Sequence, residues 1–395
     1  MNYSRFFPPA VRRALAYEPP GAWMPPLAPG VIRLNAGYPF PDSVPIQALV
    51  QAAQRLAAVE GDLPFQYWGS PSMFRLTDIL AERSAARGIQ VPEDGLMVTA
   101  GAAQAVDLAA RALLGPQDLV AVEAPTYMEA LEMFRNYTDH IVGYPVDEDG
   151  LQVEALAADL ARRQREGLPL PKLLYTIASF QNPTGATLSP ERRRRLLEVA
   201  EAFDFLILED DAYGELSFGP PPTPLKAMEG ADRVIYVGSL SKIVAPGIRI
   251  GWVVAAPELV AAMRVFKKDL DHPLGWATAA QYLARVDMEA RVADLRAAYR
   301  HRRDLMLESL RREMPAGVTW TEPGGGFFVW IRVPGVDTQE LLPRALAAGV
   351  AYVPGKYFYF GETGQGRDCL RLSFSYLPPE ELQRGVALLA SVLRA

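Results

Sequence analysis

Phe205-Leu206-Ile207-Leu208-Glu209-Asp210-Asp211-Ala212-Tyr213 is the stretch that decides the fold. An apolar run of strand length, with no polar residue on either side of the pleat, marks a strand covered on both faces, and the span 205–209 is predicted as one. Three acids and a tyrosine follow directly. Carboxylates at that point are poorly placed for stability, because a buried charge has to be paired.

Working outward, short apolar runs at 96–99, 119–123, 173–177, 233–237 and 250–255 read as further strands, with helical stretches between several of them. Strands that recur with intervening helices imply an α/β architecture, a mainly parallel sheet covered by helices, with ligands at the carboxyl ends of the strands. Helices are predicted at 46–59 and 71–87, the second closed by Gly88 at a C-cap position. Residues 1–45 are rich in proline and glycine and read as an extended arm with a short helical candidate at 11–17. Beyond Asp271 a helical stretch runs through 285–312. Strands at 327–333, 351–354 and 370–375 then suggest a smaller α+β unit. The expected division is a large unit at 46–275 and a small one made of 1–45 together with 276–395. Apart from a linker-like loop at 218–224, no linker, internal repeat or low-complexity segment interrupts the chain.

With 395 residues, half of them apolar and 22% charged, the chain can bury a large core. A net charge of -6 argues against a nucleic-acid footprint. The basic run Arg192 to Arg195 follows the helix-start signal Ser189-Pro190-Glu191 and reads as a solvated helix face. Cys369 is the only cysteine, and His140, His272 and His301 have no metal-ligand spacing. No signal peptide and no apolar run of bilayer-spanning length is present, so a soluble, cytoplasmic protein is expected, with neither membrane nor nucleic acid as partner.

Chemistry-bearing residues gather where the predicted strands end. Thr99-Ala100-Gly101-Ala102-Ala103-Gln104 joins a strand to an apolar helix through small residues, which leaves backbone N–H groups and a helix N-terminus free to cradle a phosphate. A tight strand-to-helix turn needs small residues in any case, so this turn decides nothing alone. Gly238-Ser239-Leu240-Ser241-Lys242, with Arg249 seven residues later, sets hydroxyls, an arginine and a lysine around one potential ligand. A lysine in such cationic or apolar surroundings has the lowered pKa that Schiff-base chemistry requires. Asn182-Pro183-Thr184-Gly185 forms a rigid turn after the strand at 173–177. A protonated pyridine nitrogen would be a suitable cation for the acids at 209–211.

The ordered set Asn182-Pro183-Thr184-Gly185, Asp210-x-x-Tyr213, Ser239-x-Ser241-Lys242 and Gly247-x-Arg249-x-Gly251 resembles the fold-type I, class I/II aminotransferases over nearly the whole chain. The resemblance implies pyridoxal 5'-phosphate as cofactor, with Lys242 as its covalent anchor and Asp210 facing the pyridine nitrogen. It implies Asn182 and Tyr213 at the phenolic oxygen, and Gly101, Ala102, Ala103, Ser239, Ser241 and Arg249 around the phosphate with Gln104 nearby. Tyr127 resembles the aromatic residue that stacks on the ring. Arg371, with Asn182 and the backbone at Gly37, is similar to the clamp for the substrate α-carboxylate. Tyr67 resembles a tyrosine that reaches the cofactor of a neighbouring subunit, which implies a homodimer with shared sites. Two departures bear on specificity: Asp271-His272-Pro273-Leu274-Gly275-Trp276 replaces small hydroxyl residues, and Tyr38 follows Gly37 where relatives often carry a second glycine.

The implied activity is ping-pong amino-group transfer between an L-amino acid and a 2-oxo acid, 2-oxoglutarate foremost, with Lys242 shuttling the proton at Cα. The same anchor residues serve a C–S or β-lyase. A ligand-sensing regulatory module is a more distant alternative, because a DNA-binding segment would have to precede the large unit and only about 45 residues do. For the donor side chain, Arg12, Arg13 and Arg33 offer a site for a distal carboxylate, whereas Phe6, Phe7, Trp23, Tyr38 and Trp68 offer an apolar one.

Overall fold

A computed structural model of the chain describes residues 3–18, 21–67, 69–267, 271–361 and 364–394. Its strands are β1 (Ile32–Arg33), β2 (Leu96–Thr99), β3 (Leu119–Ala124), β4 (Ile141–Asp147), β5 (Gly150–Leu151), β6 (Pro171–Thr176) and β7 (Leu206–Asp210). They continue with β8 (Val234–Ser239), β9 (Gly251–Val254), β10 (Thr319–Trp320), β11 (Phe328–Arg332), β12 (Val350–Ala351), β13 (Val353–Pro354) and β14 (Cys369–Ser373). Eight of them form one sheet in the order β2-β9-β8-β7-β6-β3-β4-β5. The pairings from β8 through β7, β6 and β3 to β4 are parallel, while β9 runs antiparallel to both β8 and β2.

Alternation along these strands sends neighbouring side chains into different cores. Val120, Val122, Leu173, Tyr175, Leu208, Ile235 and Val237 pack with Ala105, Val106 and Ala109 of the helix Ala102–Leu113. Ala121, Leu174, Ile207 and Val234 pack instead with Leu156 and Leu160 of the helix Val153–Glu166 and with Leu196 and Ala200 of the helix Pro190–Ala202. The central strands are therefore buried on both faces, as their unbroken apolar runs require.

The helix Pro190–Ala202 corrects one expectation. Ser189 caps it by accepting a bond from the Arg192 N–H, but Arg193 is buried, not solvated. One side of this helix faces the sheet, and Arg193 occupies that side while its guanidinium donates to the carbonyls of Leu188, Thr223 and Ala178. Such bonds satisfy the donors of a buried cation. Arg194 and Arg195 remain on the exposed face with acidic neighbours.

A second, antiparallel sheet has the order β10-β11-β14-β13. The expected strand at 351–354 is divided, because Val350–Ala351 pairs with the arm strand β1 while Val353–Pro354 pairs with β14. The arm helix spans Pro9–Ala14, earlier than the expected 11–17, with proline at the helix-compatible first position. Ser373 N–H donates to Leu34 O at 2.7 Å, and Ser375 Oγ donates to Tyr38 O at 2.7 Å, so the end of the arm is hydrogen-bonded to the chain around β14. No helix among the described residues is long and apolar enough to cross a membrane.

Candidate active site

The carboxyl ends of β7 and β8 lie side by side, with Asp210 opposite Val237, and Ser239 opposite Gly251 of β9. The three acids that end β7 part company there. Glu209 points to the helix side and accepts the N–H groups of Leu225 and Lys226 at 2.7 and 3.0 Å. Asp211 pairs with Arg87 and accepts a bond from Tyr236 Oη at 3.1 Å. Asp210 is the acid that lines the cavity. Its Oδ2 accepts from Tyr175 Oη at 2.9 Å, while its buried Oδ1 has no protein partner. Burial holds its carboxyl at about 6, above its ordinary 3.8.

The cavity measures about 440 Å³ and is closed on one side by the arm. Lys242 lines it, and Nζ donates to Gly37 O at 3.0 Å. The amine lies 5.8 Å from the centroid of the Tyr213 ring and 5.6 Å from that of Phe327. Burial first, and the nearby Arg371 charge next, lower the Lys242 amine to about 8. Tyr213 is buried and packs edge-on against Phe327 and Phe328. Tyr127, at the start of the helix Met128–Arg135, lines the same cavity and donates to Glu129 Oε2 at 2.5 Å.

At the opposite wall, Gly101 N-caps the helix Ala102–Leu113, and Ala102 and Ala103 border the cavity with first-turn N–H groups that no intrahelical carbonyl can reach. Ser239, Ser241 and Arg249 complete this wall. Arg249 Nη2 donates to Ala100 O at 3.1 Å, so the guanidinium lies across the strand-to-helix turn. Gly101 has φ +88°, and a Cβ there would meet Arg249 Nη2 at 2.6 Å. Gly101→Ala is therefore expected to cost about 1–3 kcal/mol in backbone strain and to displace Arg249. Thermal melts together with a cofactor titration check this; an unchanged melting point and cofactor affinity would contradict it. Gln104 does not line the cavity, since its Oε1 accepts the Ala100 N–H at 2.8 Å and holds the turn from behind.

Arg371 crosses from β14 into the cavity and is fully enclosed. Nη1 donates to Asn182 Oδ1 at 2.8 Å and Nη2 to Asn35 O at 3.0 Å, while the guanidinium carbon sits 4.1 Å from the centroid of Phe328. Its Nε is buried without a partner, and burial lowers the guanidinium to about 10. Gly37 lies against the same ring, where a Cβ would meet Phe328 Cζ at 2.8 Å. Behind Asn182, Gln181 donates to Glu123 Oε2 at 3.0 Å and to Pro125 O at 2.6 Å, and its Oε1 accepts from Thr184. This buried network fixes the turn that presents Asn182.

Asp210, Tyr213, Lys242, Ser239, Ser241, Arg249, Ala102, Ala103, Tyr127, Asn182, Gly37 and Arg371 thus share one cavity. Tyr67 does not reach it, being 95% exposed. Arg12 is exposed and bonded to Phe7 O, and Arg12, Arg33, Phe6 and Phe7 all stay outside the lining, whereas Trp23 and Tyr38 are part of it. Trp68 lies outside the described residues. In the 271–276 segment, His272 Nδ1 accepts the Gly275 N–H and caps the helix Pro273–Leu283 away from the cavity. Tyr175, Glu123 and Glu129 went unpredicted. Alternation along β6 puts Tyr175 on the same face as Leu173, and its pairing with Leu208, two residues before Asp210, is the signal that would have found it.

These residues fit pyridoxal phosphate on their own chemistry. The unpartnered Asp210 Oδ1 suits a protonated ring nitrogen, the helix N-terminus with Ser239, Ser241 and Arg249 suits a phosphate, and an amine of lowered basicity stands between them. Comparison with known proteins agrees. The family model for aminotransferase class I and II matches residues 29–389. The aromatic-amino-acid aminotransferase 1 of Thermococcus litoralis is 38% identical over 370 residues, spanning 92% of this chain and 88% of that one. The 2-aminoadipate transaminase of Thermus thermophilus is 35% identical over 373 residues, spanning 93% and 91%. The crystal structure of the multiple substrate aminotransferase from Thermococcus profundus superposes with a TM-score of 0.89 at 36% identity, covering 100% of this chain and 98% of that chain. Every strand from β1 to β14 falls inside the family match, and the chain accordingly belongs to the class I and II aminotransferases, with pyridoxal phosphate as its cofactor.

Proposed function

We propose that the chain moves an amino group from an L-amino acid to 2-oxoglutarate in two half-reactions at this cavity, with Lys242 as the cofactor's anchor and proton carrier. The observation that carries the reading is that Lys242 and the enclosed Arg371 line one cavity whose floor is Asp210. When bound, pyridoxal phosphate supplies the electron sink for negative charge at the substrate Cα. Arg371 binds the α-carboxylate through its planar donor edge, and Asn182, already bonded to Nη1, sets that edge in the cavity. An amine held at about 8 has a neutral fraction near physiological pH, so Lys242 Nζ takes the proton from the donor Cα and would deliver it to the cofactor carbon that receives the amino group. Asp210 keeps the ring nitrogen protonated, and Tyr213 and Asn182 orient the phenolic oxygen. Half-reaction spectroscopy tests this: an amino donor should convert the cofactor to its aminated form, and 2-oxoglutarate should restore it. Release of pyruvate and ammonia from a cysteine conjugate, without accumulation of aminated cofactor, would instead favour a lyase.

A homodimer with shared sites follows from the same reading. It is supported by the exposed apolar surface of Leu63, Phe65, Tyr67 and Phe74, too large a group to leave in water without purpose. Sedimentation equilibrium should report a dimer, and a monomer at micromolar concentration would rule it out. The division into a unit at 46–275 and one made of 1–45 with 276–395 is supported by the β1–β12 pairing. Limited proteolysis should separate these units, and cleavage spread evenly through 276–395 would contradict the division. A cytoplasmic setting is supported by the single, buried cysteine, and fractionation of cells tests it.

A further inference from the structure

We propose that Glu129 selects the side chain of the amino donor, and that the preferred donor ends in a hydrogen-bond donor, an ammonium or a hydroxyl, instead of a carboxylate. The inference rests on the reading of Arg371 as the α-carboxylate site. Among the described residues five charged ones line the cavity: Asp210, Lys242, Arg249, Arg371 and Glu129. The first four are accounted for by ring nitrogen, anchor, phosphate and α-carboxylate. Glu129 is left over, on the wall that the helix Met128–Arg135 shares with Trp23 and Met24 of the arm.

One oxygen of Glu129 is engaged by Tyr127; Lys242 and Arg371 feel the charge of the carboxylate across the cavity, but among the described residues no cation is in direct contact with it. A neighbouring recess of about 370 Å³ contains Glu129 and Glu132 together with Trp23 and Met133, and among the described residues no basic one lines it. Of the arm arginines expected to offer a distal-carboxylate site, Arg12 and Arg33 stand outside the lining, and the side chain of Arg13 lies outside the described residues. A side chain directed to this wall therefore crosses apolar surface from Trp23, Met24, Met128 and Met133 and ends at a carboxylate with a free acceptor site. Methylenes or a ring suit the first part, and the thioethers adapt to either. An ammonium or hydroxyl gains a charge-assisted hydrogen bond at the second, whereas a carboxylate meets like charge. The same charge opposes the distal carboxylate of 2-oxoglutarate.

The test compares near-isosteric pairs on the cofactor-loaded enzyme, L-ornithine against L-norvaline and L-tyrosine against L-phenylalanine, by kcat/KM. The α-methyl analogues, which bind without turning over, give the same ratios as Kd. The wild type should favour the member with the distal donor by roughly tenfold, the scale of one hydrogen bond to a charged group. In both E129Q and E129A the ratios should collapse towards one, and the KM for 2-oxoglutarate should fall. Ratios that stay unchanged in both variants, or a wild type that prefers donors with a distal carboxylate, would overturn the role of Glu129 while leaving the transaminase reading intact. A wild type that aminates its cofactor with none of these donors but does so with L-glutamate or L-2-aminoadipate overturns the role of Glu129 alone; one that aminates it with no L-amino acid overturns both.

Discussion

Lys242→Ala should lower transamination by about 10⁴-fold or more, the upper range of what a positioned acid-base group contributes, with loss of the covalent anchor in addition. Among the described residues no other lysine lines the cavity, so none of them offers an amine to take over. The variant should nevertheless fold. Lys242 is depressed to about 8 from its ordinary 10.5, which means that the folded protein resists protonating this amine. A group depressed in this way contributes stability that is present above the unfolded value and is lost as pH falls through about 8. At pH 7 the cofactor-free wild type therefore carries a cost that alanine removes, and the variant's apoprotein should melt no lower than wild type. Phosphate binding at Ala102, Ala103 and Arg249 should persist as non-covalent cofactor affinity. Turnover within about tenfold of wild type would sink the assignment. The same depression predicts that the rate of cofactor attachment to the apoprotein rises with pH and levels off above about 8.

Asp210→Asn should lower turnover by about 10²- to 10⁴-fold, since removing one partner of a buried charge pair costs about 3–5 kcal/mol. Asparagine keeps the volume and can still accept from Tyr175 Oη, so the fold and the cavity should survive. The sign of the pH dependence separates charge from shape. Burial raises Asp210 from 3.8 to about 6, so in the cofactor-free protein its stabilising, protonated form is complete below 3.8 and is lost as pH rises through about 6. A cationic ring nitrogen relieves that loss. The gain in melting temperature on adding pyridoxal phosphate should accordingly grow between pH 5 and 7.5 more in wild type than in Asp210→Asn, by differential scanning calorimetry. Equal growth in the two proteins would mean that Asp210 does not face the ring nitrogen.

The parts of the fold legible in the sequence are those where burial on both faces leaves no choice of residue. The stretches around Leu96–Thr99 and Leu206–Asp210 are apolar because each side of the sheet packs on helices, and their ends can be read almost to the residue. The strand Ile141–Asp147 was missed. It stands towards the edge of the sheet with most of its residues partly exposed, and Gly143 and Pro145 break the pattern that marks a strand. The reversal of β9 was equally hidden, because alternation carries no direction; the connection from Ser239 to Gly251, which contains only a short 3-10 turn, is what permits antiparallel pairing. At the site, Asp210 and Lys242 are visible because their chemistry conflicts with a strand end or an apolar pocket. Glu129 and Arg193 are not, since each lies in a helix whose orientation only tertiary packing decides. A carboxylate facing a cavity and one facing water look alike in one dimension.

Borohydride reduction of the cofactor-loaded protein, followed by peptide mass mapping, identifies the lysine that holds the cofactor. Reduction makes the link between cofactor and amine permanent, and one pyridoxyl phosphate per chain is expected, on the peptide that contains Lys242. Label on any other lysine, or protein that holds the cofactor without forming a reducible link, would contradict this assignment.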